Sequence, residues 1–272
     1  MTATWTLQRA VAPETPVIRR VGTEAVWEAL RLGWRDFLAN PTQLIFLAVI
    51  YPVVGLLAAR AMSGGAVMPL LWPMASGFAL IGPVAALGVY ELSRRREKGL
   101  PVSWRHALDV RHSPALPSIL ALGLLLVVVF LAWLGVAQLI HGATLGRAPY
   151  LPPVADVAAL AERAFTTDAG RQMLLWGNLA GFLFAALVLV TTVVSFPLLL
   201  DRGAEGRAID AGTALRTSWR AAAANPVPVA LWGLIVAVLL VLGSIPLFVG
   251  LAVVLPVLGH GTWHLYRRLV AR

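Results

Sequence analysis

Cysteine is absent from this chain of 272 residues, which excludes disulfides, thiolate metal sites and thiol catalysis. Charge is also scarce, at 13% of residues, whereas a soluble domain carries about 25%. Five stretches contain no Asp, Glu, Lys or Arg, and each exceeds the roughly 20 residues that a membrane-spanning helix needs. The chain is therefore predicted to be a polytopic membrane protein. The charge-free stretches are 37–59, 61–90, 112–146, 172–200 and 221–266.

The last of these stretches is long enough for two helices, and the cluster Gly243-Ser244-Ile245-Pro246 predicts a turn between them. We expect an all-α bundle with six transmembrane helices in a single membrane domain, 23–272, after a flexible cytoplasmic segment, 1–22. The largest external loop is predicted at 141–172. The six helices are predicted at about 43–60, 67–90, 115–140, 173–200, 227–243 and 247–266.

The distribution of basic residues predicts the orientation of these helices. Six spans put both termini on one side, and 18 of the 22 Lys and Arg residues fall on that side. Because short cytoplasmic loops are enriched in Lys and Arg, both termini are predicted to be cytoplasmic. The chain is then expected to cross its membrane several times.

An internal repeat relates segments of the chain. Ala29-Leu30-Arg31 and Trp34-Arg35 recur as Ala214-Leu215-Arg216 and Trp219-Arg220 at an offset of 185. Gly88 and Gly261 correspond at an offset of 173, and a weaker third copy places Ala107-Leu108 opposite Ala214-Leu215 at an offset of 107. The inferred unit is an amphipathic interfacial "elbow" helix, such as 23–40, followed by an outgoing and a returning span. All copies run in the same direction, so the repeats are parallel.

Each elbow carries tryptophan rings suited to the lipid headgroup zone and arginines that reach anionic phosphates. Ser103 and Asp210 are expected to be N-caps of two elbows. Prolines before the charged ends of the three returning helices are expected to kink them. The predicted interface residues are Trp34, Arg35, Trp104, Arg105, Trp219 and Arg220, and the predicted kinks are at Pro83, Pro197 and Pro256.

Several of these motifs resemble an uncharacterised family of bacterial integral membrane proteins, classed as a domain of unknown function. Some of its members carry the label of a cytochrome c oxidase subunit. The resemblance covers about Thr23 to Arg268 and implies a membrane fold, with no functional residues to transfer. It is carried by Gly88-Val89-Tyr90-Glu91-Leu92-Ser93-Arg94-Arg95, Ser195-Phe196-Pro197, Asp201-Arg202-Gly203, Ser218-Trp219 and Asn225-Pro226.

The candidate chemistry is limited. A haem–copper core needs several intramembrane histidines, and only His260 and His264 qualify, four residues apart on one helix face. They are a weak candidate for a metal or haem ligand pair, and we expect no cofactor. The other interpretation is that His260 is hydrogen-bonded inside the bundle and His264 lies at the interface.

Other polar side chains within the spans are predicted to contribute to packing between helices. Gln138 and Asn178 are expected to pair across two helices. The acids near the cytoplasmic face, among them Glu91 and Asp201, are expected to form solvated pairs with arginines. Motifs of hydrolases, nucleotide-binding proteins and metalloproteases are absent, so no catalytic residue is assigned.

These observations favour a non-enzymatic accessory, assembly or envelope factor of the inner membrane. Its expected partners are anionic phospholipid headgroups and another membrane protein or a second copy, and nucleic acid is not expected. The alternative is a permease or channel for a small uncharged solute, suggested by the repeat and the three prolines. A haem-binding or oxidase-associated subunit is a third, weaker hypothesis.

The orientation can be tested with a reporter that is active only in the periplasm, fused to either terminus. Because both termini are predicted to be cytoplasmic, neither fusion should give a signal in intact cells. A fusion at the predicted external loop, for example after Ala155, is the positive control. A bright signal from a terminal fusion would contradict the topology.

Overall fold

A computed structural model describes residues 16–39, 73–74, 82–147, 157–246 and 248–271. The described chain is helical, and the sole extended pairing within it is an isolated antiparallel bridge between Ile18 and Val270. The α-helices, in chain order, are α1 Glu24–Ala39, α2 Gly82–Ala85, α3 Leu87–Glu97, α4 Leu116–Ala143, α5 Val157–Thr166, α6 Asp168–Thr192, α7 Ser195–Ala204, α8 Ala211–Ala224, α9 Pro226–Ser244 and α10 Leu251–Leu269. Two 3₁₀ helices, Trp104–His112 and Leu145–Arg147, complete the set.

Three helical stretches in the described part are long and apolar enough to cross a membrane: Leu116–Ala143, Asp168–Ala204 and Pro226–Ser244. They agree with three of the predicted spans. The predicted span 43–60 lies outside the described residues, as does most of 67–90. Helix α10 covers most of the predicted span 247–266 but is not one of these three stretches, and His260, His264, Arg267 and Arg268 make it less apolar than they are. The count of six spans therefore remains a prediction.

The three stretches differ in how they are surrounded. In the most apolar 18 residues of Leu116–Ala143 only 22% are buried within the protein, and in those of Pro226–Ser244 only 28%. The corresponding share for Asp168–Ala204 is 61%. Helices that are apolar all round yet mostly exposed are suited to a lipid environment, because water would disfavour so large an apolar surface. Helices α4 and α9 thus form an outer layer, while α7 belongs to the core.

Large apolar side chains fill the core at one end of the helical bundle. Trp232, Trp263, Tyr266 and Phe196 each have less than 2% of their surface exposed. They pack with a run of leucines on α7, Leu198 to Leu200, whose exposure is 0–2%. We call this end of the bundle, which also carries Arg94, Arg202 and Arg267, the basic end.

Each elbow segment packs on a returning helix. The 3₁₀ helix Trp104–His112 contacts α3, α8 contacts α7, and α1 lies along α10 in the most extensive helix pair of the described structure. The elbow α1 therefore contacts the last helix of the chain. The segment before α1 also meets the end of α10, since the amide of Arg19 donates to the Leu269 carbonyl at 2.8 Å and that of Ala271 donates to the Val17 carbonyl at 2.9 Å.

Small residues permit these contacts. A Cβ atom added to Gly33 on α1 would lie 2.6 Å from the Gly261 amide nitrogen and 2.7 Å from the Val257 carbonyl oxygen of α10. One added to Gly88 on α3 would lie 2.9 Å from the Cβ atom of Ala107 in the 3₁₀ elbow. The close approach of two backbones needs glycine at these positions.

The residues predicted to cap helices and the prolines predicted to kink them all lie in the described part of the chain. Asp210 caps α8 by accepting a hydrogen bond from the Thr213 amide at 2.9 Å, and the Ser103 amide donates to His106 Nδ1 at 2.9 Å at the start of the 3₁₀ elbow. Pro83 lies in α2, Pro197 lies in the first turn of α7, and Pro256 lies inside α10. Short turns separate α2 from α3 at Ala86 and α6 from α7 at Val193 and Val194, and the backbone at these residues keeps right-handed helical angles.

The predicted amide pair between Gln138 and Asn178 does not form. The Asn178 side chain is exposed and donates to the Leu174 carbonyl of its own helix at 2.7 Å. A carbonyl one turn back on the same helix is the nearest acceptor for such an amide, so it needs no partner on α4.

We predict that Gly33→Ala destabilises the protein by about 1–3 kcal/mol, because the added methyl group meets the backbone of α10, which cannot rotate away. The measurement is the thermal unfolding midpoint in detergent. The matched control is Gly177→Ala in α6, where an added Cβ atom meets nothing within 4 Å. That control should be neutral or slightly stabilising, since alanine favours helix. Equal midpoints for the two variants would contradict the close packing of α1 on α10.

Candidate functional site

The strongest concentration of buried polar side chains lies at the basic end, where α1, α3 and α10 meet. Asp36 comes from α1, Ser93 and Arg96 are three residues apart on α3, and His260 and His264 are four apart on α10. Residues at these spacings share one helix face. The three helices therefore present five polar groups to one another, which we call the Asp36 cluster.

The hydrogen bonds of the Asp36 cluster converge on one carboxylate. Ser93 Oγ donates to Asp36 Oδ2 at 2.6 Å, His264 Nε2 lies 2.8 Å from the same oxygen, and Arg96 Nε lies 3.0 Å from Asp36 Oδ1. His260 Nδ1 is 2.6 Å from Ser93 Oγ. The single hydroxyl hydrogen of Ser93 is used on Asp36, so His260 must donate from Nδ1 and Ser93 accepts.

The electrostatics of the cluster favour the ionised form of Asp36. Burial of this side chain would by itself raise its pKa, but the hydrogen bonds from His264 and Ser93 and the nearby imidazoles outweigh it, so the pKa lies below its ordinary value of 3.8. The Asp36 side chain is only 7% exposed. A buried carboxylate of this kind is stable only while its donors remain in place.

His260 differs from the other members of the cluster. Its side chain is 1% exposed, and its Nε2 atom is buried with no hydrogen-bond partner among the residues that the structure describes. With the proton on Nδ1, Nε2 presents a lone pair. Within the same described ranges, no group of three or more His, Cys, Asp or Glu side chains has an arrangement that could hold a metal ion. Whether the pair His260 and His264 binds anything stays a prediction, as does the absence of a cofactor.

The order of the serine, histidine and aspartate groups is not that of a nucleophilic triad. In a triad the histidine lies between the other two and accepts the serine proton. Here Ser93 lies between His260 and Asp36, donates directly to the carboxylate, and is 0% exposed. The arrangement suits a structural polar connection between helices.

A second set of contacts joins the three returning helices around Arg267. The Arg267 guanidinium, on α10, contacts both oxygens of Glu97 on α3 at 3.1 Å and Asp201 Oδ2 on α7 at 3.1 Å. Tyr266 donates its hydroxyl hydrogen to the same Asp201 oxygen at 2.8 Å, and Trp263 Nε1 donates to Glu97 at 3.1 Å. One cation thus connects the ends of α3, α7 and α10.

Further charges at this end pair on α3 and between the ends of α3 and α7. Arg94 forms a two-point contact with Glu91 at 2.7 Å, and Lys98 lies 3.2 Å from Glu205. The expectation that these acids form solvated pairs is wrong for Glu91 and Asp201, whose exposures are 4% and 3%. Their helices continue beyond the apolar stretch and pack against one another, so the acids are enclosed by protein.

The predicted interface residues lie outside these networks. Trp34, Trp104 and Trp219 are 46%, 57% and 48% exposed, and the Arg105 guanidinium lies over the Trp104 ring at 5.7 Å. Trp219 Nε1 donates to Thr191 Oγ1 at 3.3 Å. Arg35 and Arg220 are also exposed. Asp36 was missed in the sequence analysis, although its signal is present: Ala25, Ala29 and Gly33 form a stripe of small residues, and Asp36 continues it.

The comparisons with known proteins agree with the membrane character of the chain. Residues 70–201 match a family described as "Predicted integral membrane protein (DUF2189)". This match confirms the predicted resemblance to an uncharacterised family of integral membrane proteins. No curated protein and no solved structure matches the chain.

We predict that Asp36→Asn lowers the free energy of unfolding by about 3 kcal/mol, because it removes the charge around which Arg96, His264 and Ser93 are arranged. The measurement is chemical or thermal unfolding in detergent. Asp168→Asn is the control, since its carboxylate is 91% exposed and pairs only with Arg171 at the surface. A similar loss in both variants would contradict the role of the Asp36 cluster.

The same cluster predicts a dependence of stability on pH. Because the pKa of folded Asp36 lies below 3.8, its contribution is fully present above that pH and declines as the pH falls through the lower, folded-state pKa. Between about pH 5 and pH 3 the unfolding midpoint of the wild-type protein should fall more steeply than that of Asp36→Asn. Parallel pH profiles would show that Asp36 is not stabilised in its ionised form.

Proposed function

We propose that this chain, whose residues 70–201 match a family of predicted integral membrane proteins, is a non-enzymatic accessory, assembly or envelope factor of the bacterial inner membrane. The observation that carries the proposal is that the described interior is filled by apolar side chains and by internally paired charges. Such a bundle is suited to hold its shape and to present surfaces, rather than to bind a reactant.

The packing of the elbows supports the proposed six-span architecture with three repeated units. Gly88 and Gly261 correspond in the sequence repeat, and so do Ala107 and Ala29. In the structure a Cβ atom on Gly88 would lie 3.0 Å from the Ala107 carbonyl oxygen, and one on Gly261 would lie 3.5 Å from the Ala29 carbonyl oxygen. Each elbow packs on the returning helix of the unit before it, and α1 closes the ring on α10.

The proposed orientation places the basic end and both termini in the cytoplasm. The hydrogen bond between Arg19 and Leu269 brings the segment before α1 and the end of α10 to one side. Asn225, at the start of α9, bonds to the Arg19 carbonyl at 3.0 Å, so the beginning of this outgoing helix lies at the same level. The excess of arginines at this level fits the inside of the membrane.

The outer layer supports a role in contacts with lipids and other membrane proteins. Leu120, Leu124, Leu131 and Leu139 on α4 are 59–73% exposed. A partner helix or lipid chains would cover this apolar face in a membrane. The alternative, a permease or channel for a small uncharged solute, is favoured by the turns close to Pro83 and Pro197, which divide the returning helices into two parts.

Single-cysteine labelling can separate the two hypotheses, because the chain has no cysteine of its own. In the accessory hypothesis Leu199→Cys on α7, where Leu199 is 0% exposed, should not react with a membrane-impermeant maleimide from either side. Phe165→Cys, at a position 69% exposed in the predicted external loop, and Leu100→Cys, at one 42% exposed in a predicted cytoplasmic loop, are the controls. Phe165→Cys should react in intact spheroplasts and Leu100→Cys only after permeabilisation.

Rapid labelling of Leu199→Cys would indicate a water-filled interior and favour transport. A complementary experiment is affinity purification of the full chain from native membranes in a mild detergent. The accessory hypothesis predicts that a defined membrane protein co-purifies in stoichiometric amount, and that a charge on the outer face, as in Leu124→Glu, releases it. Purification of the bare chain under all mild conditions would contradict the hypothesis.

A further inference from the structure

An apolar groove of about 420 Å³ lies between α1, α9 and α10. Trp27, Leu30 and Trp34 of α1 form one wall, and Leu239 of α9 and Val253 of α10 form part of the other. Among the described residues of the lining, Arg31 alone is charged. The groove is therefore apolar along its walls and cationic at a single point, on the elbow.

The positive charge at this point lies on an exposed side chain. Arg31 is exposed and has no acidic partner among the described residues, and the same is true of Arg35, one turn further along α1. The acids of α1 are engaged elsewhere: Glu24 accepts from the Gly22 amide, Glu28 pairs with Arg268, and Asp36 belongs to its own cluster. An anion at the mouth of the groove would thus meet guanidinium groups free to bind it.

The groove also extends away from the basic end. Leu239 is 13 residues after the first residue of α9, which corresponds to about 20 Å along a helix. Asn225, just before α9, lies at the level of both chain termini. The groove therefore leads from the elbow toward the middle of the predicted spans. A ligand that fits it has an anionic head and a long apolar tail.

We propose that this groove is a binding site for one anionic phospholipid, with its phosphate at Arg31 and Arg35 and an acyl chain between α9 and α10. Trp27 and Trp34, which are 56% and 46% exposed, flank the glycerol region, where indole rings are favoured. The site deepens the proposed function and rests on the proposed orientation, since the elbow must lie at the headgroup level of one leaflet.

The test uses the purified full chain, delipidated in dodecyl maltoside, and native mass spectrometry during titration with dioleoyl phosphatidylglycerol or dioleoyl phosphatidylcholine. The wild-type protein should retain one phosphatidylglycerol molecule in preference to phosphatidylcholine. The double variant Arg31→Gln/Arg35→Gln should bind it at least about tenfold more weakly, a loss of about 1.4 kcal/mol. Val253→Trp, which fills the groove and leaves every charge in place, should weaken binding to a similar extent.

The matched control is Arg216→Gln/Arg220→Gln, the corresponding pair on elbow α8, which should retain the wild-type affinity. An equal loss in the control pair, equal affinity for phosphatidylcholine, or normal binding by Val253→Trp would each overturn the proposal. Competition by inorganic phosphate as effective as that by the lipid would reduce the site to a general anion site and overturn it too. Cysteine labelling and co-purification do not depend on this lipid, so failure here leaves the proposed function to its own tests.

Discussion

Arg267 connects the ends of three helices because a guanidinium at a protein interior must be matched by carboxylates. It contacts Glu97 on α3 and Asp201 on α7. In the Asp36 cluster the arrangement is reversed, because one carboxylate contacts both Arg96 and His264. Removing one member of such a set leaves the others enclosed and uncompensated, which is why buried pairs break at a high cost even when their formation gains little. The relative positions of the helices at the basic end depend on this matching.

The sequence alone was sufficient for the features that follow from local composition. Runs without charge predicted α4, α6 and α9, and the Trp/Arg segments predicted α1 and α8. It was insufficient where a residue's surroundings come from distant parts of the chain. Asp36 and His264 are 228 residues apart, and Glu91 and Asp201 were assigned to solvent because loops near a membrane surface are usually wet. Only the packing of helix on helix shows that they are enclosed.

Small residues and apolar surfaces have different roles in the bundle. Glycines bring α1 against α10 and α3 against its elbow at distances that larger residues forbid, while the outer helices keep bulky leucines on faces that the protein itself does not cover. In the proposed function, partner contacts and bound lipid belong to the outer faces and to the groove beside α1, while the packed interior holds the helices in place.

The pairing of the first elbow with the last helix has a consequence for biogenesis. During synthesis α1 emerges from the ribosome early, yet its docking surface on α10 is translated more than 200 residues later. Until then the alanine and glycine stripe of α1 lacks the surface on which it packs, and Asp36 has only its partners on α3, Ser93 and Arg96. A chain truncated before α10 therefore leaves α1 without its docking surface and exposed to quality-control proteases.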